Sequence, residues 1–98
     1  MLRITLRELE VFAAIGRTGR ITAAGDELGL SQSAASGAIA ELERRLGVAL
    51  FDRIGRRVVL NEHGRYLLPR ALDLLRAAGE LEAGFGDGPP SRLTVAAS

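Results

Sequence analysis

Two groups of residues in this 98-residue chain have types and spacings suited to chemistry. One is a run of small and amide side chains, Gln32, Ser33, Ala34, Ser36 and Ala40, interrupted by Gly37. The other is a set of arginines, Arg53, Arg56 and Arg57, around Gly55, with Arg20 further upstream. Neither group makes or breaks bonds. Gln offers paired donor and acceptor atoms that match adenine, Ser contacts base edges or phosphate, and Ala lies well against a thymine methyl. Arginine's planar fork suits phosphate oxygens and guanine edges. All 13 basic residues are arginine. A GC-rich genome explains that composition equally well, so position has to decide.

Other chemistries find little support. There is no cysteine, hence no disulfide or thiolate site, and the single histidine, His63, has no partner at metal-ligand spacing. We read His63 as a surface residue. No nucleophile with a base, no carboxylate pair and no phosphate-cradling loop is visible, so an enzyme is not expected. The glycines of 84–88 follow a helix and precede Pro89-Pro90, the wrong context for a phosphate loop. No signal-peptide core is present, and the Leu-rich stretch 67–81 is interrupted by Arg70, Asp73, Arg76 and Glu80. A soluble cytoplasmic protein without a membrane partner is expected.

The periodicity of the chain predicts what must position these groups. Thr5 and Glu8 form a capping box for a first helix with Leu6, Leu9, Phe12 and Ala13 on one face, Ile15 on its flank, and Gly16 as its stop. Thr22 is read as the N-cap of a short second helix ended by Gly29. Ser31 caps a third helix, Gln32 to Leu46, stopped by Gly47. Ala35, Ile39, Leu42 and Leu46 form its apolar face, which leaves the Gln32/Ser36 side outward. Glu41 and Glu43 on the same helix would repel a polyanion unless Glu43 turns inward or pairs with arginine. Two short strands, Val48–Phe51 and Arg57–Leu60, flank the turn Asp52–Arg56. Asn61 caps a fourth helix, in which Pro69 either marks a kink or opens a separate segment. Leu67, Ala71, Leu74, Ala78, Leu81 and Phe85 recur along that helix, with Leu68, Leu72 and Leu75 as a second stripe. Two adjacent stripes suggest a second copy as partner, with Leu67, Ala71, Leu74, Ala78 and Leu81 as the pairing residues.

The fold class expected is therefore mainly α. It is a winged helix-turn-helix, with a three-helix core and a two-stranded wing, followed by a long linker and dimerisation helix. We divide the chain into residues 1–66 for the winged domain, 67–85 for the linker helix, 86–91 for a Gly/Pro hinge, and 92–98 for the start of a further domain.

These residues resemble the LysR-type transcriptional regulators. The likeness runs through Ala23-Ala24 to Leu28, Gly29-Leu-Ser-Gln-Ser-Ala-Ala-Ser36, Leu42-Glu43 to Leu46-Gly47, Leu50-Phe-Asp-Arg53, Gly55-Arg-Arg57 and Leu60-Asn-Glu-His-Gly64. The molybdate-responsive regulators share the fold but match the wing and linker less well. The resemblance implies a bacterial regulator that binds an interrupted dyad in double-stranded DNA. It implies a homodimer assembled into a tetramer, and a C-terminal domain that takes a small-molecule inducer, of which this chain holds only the first residues. No cofactor is expected in the chain itself. Gln32, Ser33, Ser36, Arg53, Arg56, Arg57 and Arg20 are the expected DNA contacts, although Arg53 could instead pair with an acid and brace the wing. Departures from the family pattern are Arg20 and Ile21 for Ser and Phe, Gly25 for Ala, Asn61 for Thr, and Gly37 where Arg or Lys is common. Gly37 bears on sequence preference rather than on the fold.

A second reading is a winged-helix module that dimerises and binds protein. Residues 1–66 hold ten arginines against eight acids, a net of only +2, which favours it. The gathering of arginines at the wing opposes it.

Overall fold

The computed structural model describes residues 3–86. In chain order these form α1 (Leu6–Thr18), α2 (Ile21–Leu28), α3 (Gln32–Leu46), β1 (Phe51–Ile54), β2 (Arg57–Leu60) and α4 (Glu62–Gly86). The architecture is the winged helix-turn-helix read from the sequence. The hinge assigned to 86–91, from position 87 onward, and the start of a further domain assigned to 92–98 lie outside the described residues.

The capping box opens α1. The Glu8 amide donates to Thr5 Oγ1 at 3.1 Å, and the Thr5 amide donates to Glu8 Oε1 at 3.0 Å. The other Glu8 oxygen accepts from Arg45 Nη1 of α3 at 2.8 Å. This double use explains how a carboxylate can be buried here. The helix buries Leu9, Val11, Phe12, Ala14 and Ile15, while Leu6 is left half exposed. Gly16 does not end it. The helix continues to Thr18, and Gly19 supplies the left-handed C-cap, its amide donating to Ile15 O at 2.8 Å. Gly16 lies inside the helix beside Leu60 of β2.

Helix α2 starts one residue before the expected cap. Arg20 holds the N-cap position without a side-chain bond, and Thr18 Oγ1 instead accepts the Arg20 amide at 3.3 Å. Within the turn to α3, the Leu30 amide donates to Gly25 O at 2.7 Å. A Cβ on Gly25 would stand 2.8 Å from Leu30 O, so this turn closes because position 25 has no side chain. Ser31 caps α3 by accepting from the Ala34 amide at 3.1 Å, and Gly47 ends it, as the sequence indicated.

The wing pairs Phe51 with Leu60, Asp52 with Val59, Arg53 with Val58 and Ile54 with Arg57. Its first strand thus begins at Phe51, three residues later than expected, and the turn shrinks to Gly55-Arg56. Long-range partners occupy the backbone before it. The Leu50 amide donates to Glu43 Oε2 at 2.7 Å, Leu50 O accepts from the Asn61 amide at 3.0 Å, and Ala49 O accepts from Asn61 Nδ2 at 2.9 Å. The Leu50 amide and the Ala49 carbonyl are consequently lost to a ladder, while the Asn61–Leu50 bond continues the register of the wing by one step. On the other edge, the Val58 amide donates to Gly19 O at 3.0 Å and ties the wing to the end of α1.

Phe12, Leu9, Ile15, Leu42, Leu50 and Val11 are the largest fully buried side chains. Each contributes about 1.5–3 kcal/mol by leaving water. The Phe12 and Phe51 ring centroids lie 5.5 Å apart in a tilted arrangement that joins the helices to the wing. Helix α4 runs unbroken through Pro69 and crosses residue 66 without interruption. Ala71 of α4 is fully buried, and Leu67, Leu68 and Leu75 pack against the same core.

Candidate nucleic-acid interface

The α1–α2–α3 core turns one face of α3 outward. Ala35, Ile39 and Leu42 point into the core, which puts Gln32, Ser33, Ser36, Gly37 and Ala40 in solvent. At the Gln32 end of this face, the first turn of α3 carries amides without intrahelical acceptors and a partial positive charge.

Five of the residues singled out from the sequence line one polar cleft. Arg20, Gln32, Ser36, Arg53 and Arg56 surround a space of about 180 Å³ between the start of α2, the first half of α3 and the wing. Gly55 (φ +63°) makes the tight turn that carries Arg56 to this rim. Ser33 is exposed on α3 but does not line the cleft. Arg57 is directed elsewhere: its guanidinium lies across Gly19, with Nη2 2.9 Å from where a Cβ at that position would stand. Thr22, which the sequence reading assigns to capping, lines the cleft too. Its place in the first turn of α2, opposite the α3 N-terminus, follows only from knowing that α2 begins at Ile21.

The distribution of charge is as informative as the cleft. Among the described residues, Arg20, Arg53, Arg56 and Arg57 have no acidic oxygen within ion-pair distance, so Arg53 does not brace the wing through an acid. The acids of α3, meanwhile, are occupied. Glu43 turns inward to the Leu50 amide. Glu41 accepts from Arg44 Nη2 at 2.6 Å and Nε at 3.1 Å, and Arg45 lies 3.3 Å away. The hydrogen bond from Arg44 is the main cause that holds the Glu41 carboxyl below the usual carboxylate range, and the same bond raises Arg44. Elsewhere Arg17 pairs with Glu27, which joins α1 to α2 away from the cleft. A small net charge is thereby resolved into a locally cationic rim with hydrogen-bonding side chains between its arms. Such an arrangement can hold phosphates on the arginines and present Gln and Ser to flat, hydrogen-bonding edges.

Residues 6–65 match the model of the bacterial regulatory helix-turn-helix proteins of the lysR family. The chain belongs to the LysR family. Its relatives include the transcriptional regulator YeiE of Escherichia coli K12, 57% identical over 84 residues, which cover 86% of this chain and 29% of YeiE. Another is a regulator from Azotobacter vinelandii, encoded in the ibpB–leuC intergenic region, 45% identical over 95% of this chain and 67% of its own length. The chain thus spans less than a third of YeiE and other full-length LysR relatives. Among solved structures, the complex of the CbnR DNA-binding domain with DNA superposes with a TM-score of 0.76 at 30% identity, over 96% of this chain and 99% of that one. Corynebacterium glutamicum OxyR superposes with a TM-score of 0.83 at 34% identity, over 89% of this chain and 29% of OxyR.

Along α4, the five residues expected to pair subunits divide. Ala71 is enclosed and Leu67 is partly covered by the chain's own core, whereas Leu74 is 52% and Leu81 66% exposed, and Ala78 is only partly exposed. Leu72 and Phe85, outside that set, are also about half exposed. Among the described residues no helix is long and apolar enough to cross a membrane.

Proposed function

We propose that this LysR-family chain is the DNA-binding and subunit-pairing portion of a sequence-specific transcriptional regulator of the cytoplasm. Helix α3 enters the major groove, where Gln32, Ser33 and Ser36 read base edges. Arg20, Arg53 and Arg56 take flanking phosphates or the minor groove beside the wing, and Arg57 serves from the α1–α2 turn. The observation that carries this reading is the convergence of unpaired Arg20, Arg53 and Arg56 with Gln32 and Ser36 on one cleft, while Glu41 and Glu43 of α3 are engaged elsewhere.

Two chains pair through the outer side of α4, with Leu74, Ala78 and Leu81 at the contact, and set two recognition helices about one DNA turn apart. The operator is an interrupted dyad. In the whole protein, pairs assemble into a tetramer, and a small-molecule inducer acts through the region following this chain.

Selection of bound sequences from a random DNA library, followed by binding across a salt series, tests the reading. An enriched dyad and a steep salt dependence are expected. Arg56→Ala should lower the slope of log K against log salt by about 1. Gln32→Ala should relax preference at one base pair per half-site, at about 1–3 kcal/mol of discrimination. A folded, dimeric chain that enriches no sequence and binds without salt dependence would favour the protein-interaction module.

A further inference from the structure

Most glycines in the described fold have a reason within the chain. Gly25 and Gly64 lie where a Cβ would strike a backbone oxygen, at 2.8 and 2.2 Å, and Gly16 lies against Leu60. Gly37 has no such reason. It sits in the middle of α3 with helical backbone, is exposed, and has nothing within 4 Å of the place its Cβ would occupy. Glycine inside a helix weakens it relative to alanine, because it gives up more backbone freedom on folding. The chain carries that cost on the helix that the proposed function places against DNA, although a Cβ here would meet nothing in the free protein.

The position on the helix tells what the missing side chain makes room for. At 100° per residue, Gly37 lies opposite the buried line of Ala35, Ile39 and Leu42, at the most protruding part of α3. Ser33 one turn before it and Ala40 one turn after it are short and exposed on the same ridge. Gln32 and Ser36 lie to one side, toward the cleft with Arg20, Arg53 and Arg56. Between Ser33 and Ala40, Gly37 leaves the α3 backbone itself uncovered.

Resting on the DNA-binding reading, we infer that Gly37 is a specificity-determining residue: the α3 backbone itself seats against the floor of the major groove there. The absent Cβ allows an approach that brings Gln32 and Ser36 within hydrogen-bond range of base edges. Because the main chain touches the pairs at the centre of the contact, shape and the bulk of a thymine methyl are read there without a side chain.

The test uses the 98-residue chain and the sequence that the unaltered chain itself enriches from a random library. Gly37→Ala is expected to raise Tm by a few degrees, since the site is open and alanine favours helix. The same change should weaken binding roughly 5- to 20-fold, and Gly37→Leu about 100-fold or more, with Tm not below that of the unaltered chain. Gly79→Ala, at an equally open helical site on α4, should raise Tm alike and leave affinity unchanged. Unaltered or tighter binding by Gly37→Ala and Gly37→Leu would overturn the inference. Equal loss from Gly37→Ala and Gly79→Ala would also overturn it, because stiffening of helices, rather than contact, would then be the cause. Absence of enrichment by the unaltered chain would overturn the DNA-binding reading itself, and the inference with it.

Discussion

Gly64→Ala should destabilise this fold through a single methyl group. Gly64 is in the first turn of α4, where its amide donates to Asn61 Oδ1 at 2.9 Å. An added Cβ would stand 2.2 Å from Leu50 O and 2.8 Å from Leu60 Cδ2. The first neighbour is backbone, so it cannot rotate away. Leu50 O also accepts the Asn61 amide at 3.0 Å, and the Leu50 amide is held by Glu43, which leaves that carbonyl little room to yield. The helix must therefore lift by roughly 1 Å to restore ordinary contact. Overpacking of this kind costs about 1–3 kcal/mol, and weakening of the Asn61 bond adds about 0.5–1.5 kcal/mol. Against this, alanine gains up to about 1 kcal/mol in helix propensity. The net loss is about 1–3 kcal/mol, or roughly 5–20 °C in Tm for a domain of this size. Thermal unfolding followed by circular dichroism, with denaturant midpoints as a cross-check, reads it directly. A variant that melts at or above the parent temperature would refute the reasoning, because the Leu50 carbonyl would then have to move freely.

Two further predictions concern α4 and pH. Leu74→Glu with Leu81→Glu should convert the proposed dimer to a monomer in sedimentation analysis, while the folded spectrum persists, because both side chains are more than half exposed in the single chain; unchanged sedimentation would rule out pairing through this side. Because the Arg44 hydrogen bond lowers the Glu41 pKa in the fold, the pair's stabilisation is present above the unfolded value near 4.5 and is lost as pH falls through the lower folded value. Comparing denaturant midpoints, Glu41→Gln should be less stable than the parent at neutral pH by a small margin that closes as pH falls through the lowered folded value; a margin that persists in acid would show that charge is not its source.

What was legible in the sequence was whatever is decided locally. Thr5 with Glu8, Ser31 with its following amides, and the spacing of Ala35, Ile39 and Leu42 are short-range signals that place α3 and its outward face, whereas Leu46, expected on the same apolar face, is exposed because the helix ends at Gly47 beyond the edge of the core. The inward turn of Glu43 was anticipated because an acid facing the groove would be repulsive. The misplacements share a different origin. Gly16 and Gly19 look alike as letters, and the choice between them depends on Leu60 and on the Val58 bond to Gly19 O, both some forty residues away. The start of β1 moved because Glu43 and Asn61 take the polar groups of residues 49 and 50. Which leucines of α4 face inward depended on where α1 lies, so Ala71 and Leu74 could not be told apart by spacing. The cleft itself, and the place of Thr22 in it, arises from three segments distant in sequence.

Helix α4 has a mechanical consequence. Its 25 residues make a rod about 37 Å long at 1.5 Å per residue, fixed at one end by Asn61 and Gly64 on the backbone of residues 49 and 50. That mounting has no slack, because Gly64 already touches the Leu50 carbonyl. The rod is a lever held on the winged domain along its first half, by Gly64 at the base of the wing and by Ala71 and Leu75 on the core. A tilt of about 5° sweeps its free end by roughly 3 Å, close to the rise of one base pair. In the proposed complex, the spacing of two such domains on a duplex follows motions too small to disturb either fold.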